Sequence, residues 1–560
     1  MCVVSPLFAS LFIPLVAREP VPSPRPHIVL LLADDLESDY KQDRLSLMPH
    51  LRTRVAERGA SFVNHVAPTP QCGPSRAALL QGRWPHNTGY RTHRDRASYK
   101  SYARVENDTL GTWLTRAGYY TAYLGKVVNG FERRPPSGWR HFGGFISPYV
   151  YYATTQYNIT AGAGQTGPRT LVHTGVHQAD VLAAQTVAHM RAAVAEGSPF
   201  FVHLSPAMPH SGPCYPRSSP NYTRDDPGEE YTLACPPGRP PDDARTPGIC
   251  PFITSPCPSL RRRRDVNSST RNPRVPSWNE LTLGLLSPPE RRILAQCRPM
   301  GGWVASRQDI AYRNRTASAV DLDDLLGAVL DGAEALGIAH NLWLFFTSDN
   351  GYHLGEQRRE YGKGTPYLVD TLVPLYVRGP GVPAGVLRTH ATTHIDLAAT
   401  IVDLARAHPF RSGSPPLDGK SMVGALGARP ESARAWRKYQ FSESAAQWRS
   451  GVGGGWWKLR FPFRNNGSEV HWWCAGPGFG PFAVGTPGAF FLGEDPWEQS
   501  NRAGSTPRAT VEGNLLVETA LPLAAGLAAC KGSACNRAPR VAPDPTQPLP
   551  CYLRTSFTFP

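Results

Sequence analysis

Short apolar segments recur along the chain with room for a helix between them. Five of these segments are HIVLLLADD at 27–35, YYTAYLGK at 119–126, PFFVHLSPAMPH at 199–210, NLWLFFTSDNG at 341–351 and VPLYVRGPG at 373–381. Apolar runs of about five residues are typical of strands that are buried on both faces of a parallel sheet. Segments 176–197 and 315–337 have apolar residues at helical spacing and would cover such a sheet. The sequence therefore predicts an α/β fold in which helices sandwich a large, mostly parallel sheet.

The predicted strands end in polar residues of complementary chemistry. These residues are Asp34, Asp35, Lys126, His210, Asp349 and Asn350. In open α/β sheets ligands bind beyond the carboxyl ends of the strands, so we expect these side chains to share one site. An Asp-Asp pair alone is as often a turn or a helix cap. Together with Asp349 and Asn350 it forms an all-oxygen set, which favours Ca²⁺ or Mg²⁺ over zinc or copper.

The segment CGPSRAALLQG at 72–82 predicts a short helix, because Pro74 suits a first turn and Gly82 suits a helix end. Cys72 is expected just ahead of that helix, where free N–H groups and the helix dipole favour an anion. Such a position also lowers the pKa of a thiol. A nucleophilic cysteine is therefore one interpretation of the segment.

The residues that follow Cys72 carry a family resemblance. CGPSRAALLQGR at 72–83 matches C-x-P-S-R-x-x-x-L-T-G-R, the signature of the sulfatase family, except that Gln81 replaces threonine. Further similar blocks follow in family order over roughly residues 25–505: GK at 125–126, PH at 209–210, SDNG at 348–351, GKGTPY at 362–367, HIDLAATIVDLA at 394–405, LDGKSM at 417–422 and EDPWEQSN at 494–501. The resemblance implies an alkaline-phosphatase-like fold.

The resemblance also implies a catalytic apparatus. In the sulfatase family the cysteine is oxidised to formylglycine (3-oxoalanine) by a formylglycine-generating enzyme, so Cys72 is the implied modified residue and nucleophile. The implied ligands of one Ca²⁺ ion are Asp34, Asp35, Cys72, Asp349 and Asn350. The other implied catalytic residues are Arg76, which orients the aldehyde hydrate, and Lys126, His210 and Lys363, which bind sulfate or serve the leaving group.

Two departures from the family pattern bear on the branch and on the substrate. GKVVNGF places Val128 where many arylsulfatases have a histidine, followed by Asn129. Together with SDNGYHLGEQ, this block resembles N-acetylglucosamine-6-sulfatases and plant or algal arylsulfatases. The departure leaves His210 or His353 as the proton donor, and Leu368 stands where a glutamate is frequent. Asn129 and His353 are predicted to contact substrate, although a surface-loop histidine is an equal alternative for His353.

The expected domain organisation has four parts. Residues 1–17 resemble a signal peptide, and residues 24–410 form the catalytic domain with a Cys- and Pro-rich insertion at 212–300. Residues 430–510 are expected to form a small α+β subdomain with a short antiparallel sheet, and 511–560 a Cys- and Pro-rich tail. The cysteines of the insertion are expected to form disulfides of open connectivity, since metal-type C-x2-C pairs are missing.

Several features favour secretion to an extracellular, cell-wall or lysosome-like compartment. Six glycosylation sequons begin at Asn107, Asn158, Asn221, Asn267, Asn314 and Asn466. No apolar run is long enough to span a membrane. The net charge of +15 suits an anionic partner. Nucleic acid is not expected to be that partner, because no nucleic-acid-binding motif accompanies the charge.

These observations favour a secreted sulfatase that acts on a sulfated carbohydrate or an aryl sulfate. Two alternatives stay open at this point. One is a phosphodiesterase or phosphonate hydrolase of the same superfamily, which would share the metal ligands. The other is a sulfated-glycan-binding protein that keeps the fold without turnover; Val128 and Leu368 are the departures that allow it.

Overall fold

The computed structural model describes a large part of the chain. The described residues are 25–38, 44–92, 96–131, 135–146, 148–160, 169–214, 256–257, 259, 270–274, 278, 302–356, 361–409, 416–430, 436, 440–447, 453–461, 470–475 and 487–491. The predicted signal peptide and tail lie outside these residues, as does most of the insertion.

The described residues contain strands in three sheets. The strands are β1 (His27–Ala33), β2 (Ala60–Phe62), β3 (His65–Val66), β4 (Tyr120–Lys126), β5 (His141–Phe145), β6 (Ala153–Thr160), β7 (Arg169–Thr174), β8 (Phe200–Ser205), β9 (Leu342–Ser348), β10 (Leu375–Arg378), β11 (Val386–Arg388), β12 (Thr392–Thr393), β13 (Gln440–Gln447), β14 (Gly453–Phe461), β15 (Val470–Ala475) and β16 (Pro487–Phe491). All residues of β4, β8 and β9 are buried. This burial explains why their sequences are continuous apolar runs rather than alternating ones.

The main sheet has ten strands in the order β11-β2-β10-β9-β1-β8-β4-β5-β6-β7. The central strands β9, β1, β8, β4 and β5 are parallel, as predicted. The segment at 373–381 does form a strand, β10, but it runs antiparallel to both of its neighbours. Its apolar residues correctly predicted a buried strand. They did not predict the direction of the strand relative to its neighbours, because a buried strand has the same apolar composition in either direction.

The helices of the described residues lie between these strands in the chain. They are α1 (Cys72–Gln81), α2 (Pro85–Thr88), α3 (Arg96–Ala103), α4 (Leu110–Arg116), α5 (Gln178–Ala195), α6 (Gly302–Ala335), α7 (Leu368–Thr371), α8 (His394–Leu404) and α9 (Val423–Leu426). Short 3-10 turns at Arg44–Leu47 and Ala339–Asn341 and a π-helical segment at Leu51–Ala56 complete the set. The described helices are too short or too polar to cross a membrane.

Alternate residues of β1 face two hydrophobic cores on opposite sides of the sheet. Val29 and Leu31 belong to the core that α5 and α6 cover. Ile28 and Leu30 belong to the core that α1, α4 and α8 cover. Fully burying one such side chain stabilises a fold by about 1.5–3 kcal/mol. The fold is therefore the predicted sandwich, and its two cores hold the carboxyl ends of the central strands in place.

Beyond the main sheet, β13–β16 form a four-stranded antiparallel sheet in sequence order. A short antiparallel sheet was expected within 430–510, and these strands lie there. In the insertion the structure contains one disulfide, Cys214–Cys257. Cys235, Cys250 and Cys297 of the same predicted run lie outside the described residues. The domain boundaries themselves stay a prediction.

Candidate active site

Cys72 is the first residue of α1. The sequence had predicted that Cys72 would lie just before the helix, so the helix begins one residue earlier than expected. Gln71 is the extended residue before the helix, and Gly82 ends it in the left-handed conformation with φ 62°. Pro74 lies within the first turn, as predicted. The helix therefore presents Cys72 Sγ at its N-terminus, where the side chain is only 2% exposed.

The thiol of Cys72 faces carboxylates as well as cations. Sγ donates to Asp34 Oδ1 at 3.5 Å and to Asp35 Oδ1 at 4.0 Å, and Lys363 Nζ contacts it. Burial, aided by the nearby carboxylate of Asp349, raises the pKa of Cys72 to about 12 against the opposing effect of two lysines. Burial therefore favours the protonated thiol of Cys72 over a thiolate.

Four of the five predicted metal ligands come from two neighbouring strands, and the fifth, Cys72, from α1. Asp34 and Asp35 follow β1, while Asp349 and Asn350 follow β9; all four are buried. Ala33 pairs with Ser348 in the sheet, so both pairs leave it at the same level. Cross-links hold them together: the Asp35 amide donates to Asp349 Oδ1 at 3.1 Å, and Asn350 Nδ2 donates to Asp35 Oδ1 at 2.7 Å.

Two of these residues, Asp34 and Asp35, belong to a group of side chains that could hold a metal ion. Ligand atoms of Asp34, Asp35, Cys72 and His210 all lie within 4.8 Å of one another. The ammonium of Lys363 lies among the same acceptors, in contact with Asp35 Oδ1 and 3.4 Å from Asn350 Oδ1. Buried carboxylates that converge on a positive charge are the chemistry that Ca²⁺ or Mg²⁺ requires. We call Asp34, Asp35, Asp349 and Asn350 the acidic cluster. This cluster can therefore hold a metal ion.

Two further cations reach the same carboxylates from other elements. Lys126, the last residue of β4, places Nζ 2.5 Å from Asp34 Oδ2. Arg76, on α1, donates through Nε to Asp349 Oδ2 at 2.8 Å. Burial is the largest single influence on the pKa of Lys126 and lowers it, but the neighbouring negative groups, of which the Asp34 carboxylate is the strongest, together raise the pKa. Burial likewise disfavours the ionised form of Asp349, but Arg76, Lys126 and Lys363 together lower the pKa of Asp349. Lys126, Arg76 and Asp349 are therefore charged at neutral pH.

His210, in the loop after β8, is the last of the predicted catalytic residues that lie at the site. Its Nδ1 donates to Ser211 O at 2.7 Å, so Nε2 is the atom that faces the site, 3.7 Å from Asp35 Oδ2. Burial lowers the pKa of His210, although the Asp34 and Asp35 carboxylates oppose this effect. The structure thus brings Cys72, Arg76, Lys126, His210 and Lys363 together around one acidic cluster.

Sequence analysis missed Tyr149, whose ring stacks on His210 with centroids 4.1 Å apart. Lys126 Nζ lies 5.0 Å from the centre of the same ring, and Asn129 Nδ2 donates to the tyrosine hydroxyl at 3.4 Å. Tyr149 lies in the loop between β5 and β6, and no motif singles it out there. The predicted substrate contact Asn129 is therefore at the edge of the site, whereas its neighbour Val128 is buried in the apolar core.

His353 is buried, with only 4% of its surface exposed, so it is not the surface-loop histidine that was the alternative. Its Nδ1 bonds to Asp370 at 2.9 Å, and Asp370 also accepts from the amide and hydroxyl of Thr365. A methyl group built on Gly362 would lie 3.4 Å from His353 Nε2. Because Gly362 directly precedes Lys363, this ring nitrogen lies beside the segment that supplies a site cation. Asp370 is a second residue that sequence analysis missed.

The glycosylation sites stay predictions. Asn107 is exposed before α4, and Asn314 is half-buried within α6. Asn158 lies in β6. Asn221, Asn267 and Asn466 lie outside the described residues.

Known proteins resemble this chain in sequence. The model of the sulfatase family matches residues 26–407. An arylsulfatase of Volvox carteri is 28% identical over 407 residues, which cover 70% of this chain and 58% of that protein. An N-acetylglucosamine-6-sulfatase of Homo sapiens is 26% identical over 425 residues, which cover 74% of this chain and 66% of that protein. The matches thus span between half and two thirds of the length of these relatives.

Among solved structures, a protein in complex with its substrate D-glucosamine-2-N,6-O-disulfate has a TM-score of 0.59. It is 17% identical to this chain and covers 88% of it and 96% of its own length, a likeness of fold. The family match contains all ten strands of the main sheet and the whole cluster from Asp34 to Lys363. This chain belongs to the sulfatase family.

Proposed function

We propose that this protein is a secreted sulfatase, which hydrolyses sulfate esters by means of a formylglycine formed from Cys72. The observation that carries the proposal is the position of Cys72, buried at the start of α1 between carboxylates and cations. A sulfate ester needs both: positive charge for its oxygens, and a nucleophile held against its sulfur. A phosphonate hydrolase would share the metal ligands; sulfate is favoured because the block at Cys72 matches the sulfatase signature C-x-P-S-R.

Two groups would add chemistry that the twenty amino acids lack. A hydrated formylglycine at residue 72 would supply a nucleophile with two hydroxyls on one carbon. Ca²⁺ would be held by Asp34, Asp35, Asp349 and Asn350 and would supply positive charge beside the sulfate. The remaining tasks fall to side chains of this chain.

Lys126 and Lys363 bind the sulfate oxygens in this proposal. Both ammonium groups lie beside carboxylates, and although burial disfavours their charged forms, the neighbouring negative groups together raise both pKa values. Each lysine is therefore charged before substrate arrives. Cations that are already in place stabilise developing anionic charge without reorganisation during the reaction. Arg76, tied to Asp349, holds the acidic cluster and orients the hydrate at residue 72.

His210 is our candidate for the proton donor to the leaving alcohol. This role requires the doubly protonated ring, in which Nδ1 donates to the Ser211 carbonyl and Nε2, which faces the cluster, carries the proton that is transferred. The Asp34 and Asp35 carboxylates favour this charged form, against the effect of burial. We assign His353 to substrate binding, because its ring is oriented by Asp370 and its Nε2 lies beside the Lys363 segment. A carboxylate that bonds Nδ1 fixes the tautomer and the orientation of an imidazole.

Replacing Asp370 with asparagine tests the role of His353. We expect KM for a 6-sulfated glucosamine to rise by about 10-fold or more, since the imidazole loses its orienting carboxylate. The kcat for 4-nitrophenyl sulfate should stay within about threefold of wild type, because that ester has no sugar for His353 to contact. Steady-state kinetics on both esters measure this. Equal losses of activity on both esters would show that the His353–Asp370 pair is structural. A loss of kcat confined to the sugar ester would instead make His353, and not His210, the proton donor.

The substrate class and compartment are also proposals. The human relative acts, by its name, on N-acetylglucosamine 6-sulfate, and a net charge of +15 suits a sulfated polysaccharide. The Cys214–Cys257 disulfide and the exposed sequon at Asn107 support maturation in a secretory route. There a formylglycine-generating enzyme would act on Cys72, and extracellular and lysosome-like destinations share this route.

The test is to express the full chain in a secretory host that contains a formylglycine-generating enzyme. We expect the mass of the Cys72 peptide to match formylglycine, and we expect turnover of sulfate esters that EDTA abolishes and Ca²⁺ restores. A phosphonate monoester assayed in parallel should react far more slowly. Faster phosphonate turnover would favour the hydrolase alternative, and an unmodified thiol in folded, inactive protein would favour the glycan-binding alternative.

A further inference from the structure

We propose that Arg315, on α6, is a positioning residue that holds Asp35, a predicted metal ligand, at a fixed spacing from His210, the predicted acid. The inference rests on the proposed function of the site. Nothing in the sequence pattern distinguishes Arg315 from the many other arginines of the chain, and it lies far from every strand end in sequence.

The guanidinium of Arg315 joins two loops of the site. It is 2% exposed, and its Nη2 donates to Asp35 O at 2.6 Å. Its Nη1 donates to Pro209 O at 3.2 Å, and Pro209 directly precedes His210. Thus one planar group connects the loop after β1 with the loop after β8, and it fixes the spacing between a predicted ligand and the predicted acid.

Two further contacts fix the guanidinium itself. Nη2 also bonds Glu37 Oε2 at 2.6 Å, which balances the charge of Arg315 in a buried environment. The plane of the group lies over the ring of Tyr352, 4.3 Å from its centre, and Tyr352 follows Asn350 by two residues. The guanidinium is a rigid fork that can donate to several acceptors and stack at once. Arg315 therefore contacts all three loops that carry the acidic cluster and His210.

The backbone of Asp35 shows why such support matters. Asp35 has a φ of 65°, in the left-handed region that residues other than glycine rarely adopt. Such conformations persist where surrounding contacts hold them, and they concentrate at functional sites. Both polar backbone atoms of Asp35 are held: its amide donates to Asp349 Oδ1, and its carbonyl accepts from Arg315. This turn of the backbone directs the carboxylate of Asp35 towards Cys72 and Lys363.

The simpler alternative is that Arg315 only neutralises Glu37 in the core. The variant Arg315→Lys separates the two roles, because lysine keeps the charge next to Glu37 but cannot reproduce the planar fork. Arg83→Lys is the matched control: Arg83 forms a nearly buried pair with Asp108 at 2.9 Å, at the far end of α1 from Cys72. Glu37→Gln removes the charge of the pair and leaves the carbonyl contacts of Arg315 possible.

The measurements are the Ca²⁺ dissociation constant by calorimetry, kcat/KM for a sulfate ester, and the thermal midpoint in EDTA. We expect Arg315→Lys to weaken Ca²⁺ binding and kcat/KM by about 10–100-fold, as is usual when a residue that supports metal ligands is changed. Arg83→Lys and Glu37→Gln should stay within about threefold of wild type in Ca²⁺ affinity, whatever their thermal midpoints. Arg83 lies outside the site, and a glutamine at position 37 can still accept from Arg315, so both variants keep the contacts of Arg315 to the carbonyls of Asp35 and Pro209.

The outcomes separate this inference from the proposed function. If wild type binds Ca²⁺ without sulfatase activity, the proposed function fails, and Arg315 is judged on Ca²⁺ affinity alone. If Arg315→Lys binds Ca²⁺ like wild type, or if Glu37→Gln loses as much affinity as it does, Arg315 is a core ion pair and the inference is overturned. It is also overturned if wild type binds no ion, because there is then nothing for Arg315 to position.

Discussion

Cys72→Ala is expected to abolish sulfate-ester turnover while the protein stays folded. The change removes one sulfur atom from a buried position and leaves the ion pairs of Asp34, Asp349, Arg76 and Lys126 intact. If residue 72 is the nucleophile, turnover should fall by at least about 10³-fold, since loss of a nucleophile in a comparable covalent mechanism costs even more. Kinetics on 4-nitrophenyl sulfate, with circular dichroism as a check of the fold, measure this.

Cys72→Ser is the matched control for this prediction. Serine keeps a potential nucleophile of similar size at the N-terminus of α1, but it offers a single hydroxyl where an aldehyde hydrate offers two. We expect each molecule of the serine variant to react at most once with a sulfate ester and then to stop. A burst of product without steady turnover would reveal this behaviour. Steady activity above about a tenth of the wild-type rate in the alanine variant would contradict the proposed role of Cys72.

Arg76→Met is expected to destabilise the protein strongly, and more so without the metal ion. Arg76 is fully buried and donates to Asp349 Oδ2 at 2.8 Å, and its Nη1 donates to Lys126 O and Ser205 Oγ. Removing one partner of a buried ion pair typically costs about 3–5 kcal/mol, because the other charge is left uncompensated. Urea unfolding in EDTA should show a loss of this size, and saturating Ca²⁺ should recover part of it by compensating Asp349.

Arg83→Met is the control for the metal dependence. It breaks the nearly buried Arg83–Asp108 pair, which lies outside the acidic cluster, so its loss should be the same in EDTA and in Ca²⁺. If Ca²⁺ rescues both variants equally, the ion acts on overall stability and not on Asp349. If Arg76→Met costs less than about 1 kcal/mol, the Asp349 charge is compensated by other groups, and the assigned role of Arg76 is wrong.

Local sequence was sufficient for much of the fold. The apolar runs predicted β1, β4, β8 and β9, because residues that are buried on both faces of a sheet leave no room for polar alternation. Pro74 and Gly82 predicted the two ends of α1. The fixed φ of proline suits the first turn of a helix, and glycine readily adopts the left-handed conformation that ends one. The direction of β10 was not predictable in this way, because burial constrains which residues a strand contains and not which way it runs.

For the candidate active site too, some residues were predictable from the sequence and others only from the tertiary structure. The sequence by itself determined which residues stand at the strand ends, and the motif at Cys72 determined the family. The tertiary structure alone decided that Tyr149 stacks on His210, that Asp370 orients His353, and that Arg315 joins the loops of Asp35 and His210. These contacts join residues far apart in the chain. They exist only because the strands are ordered β9-β1-β8-β4 with Ala33 level with Ser348, and no local pattern encodes strand order or register.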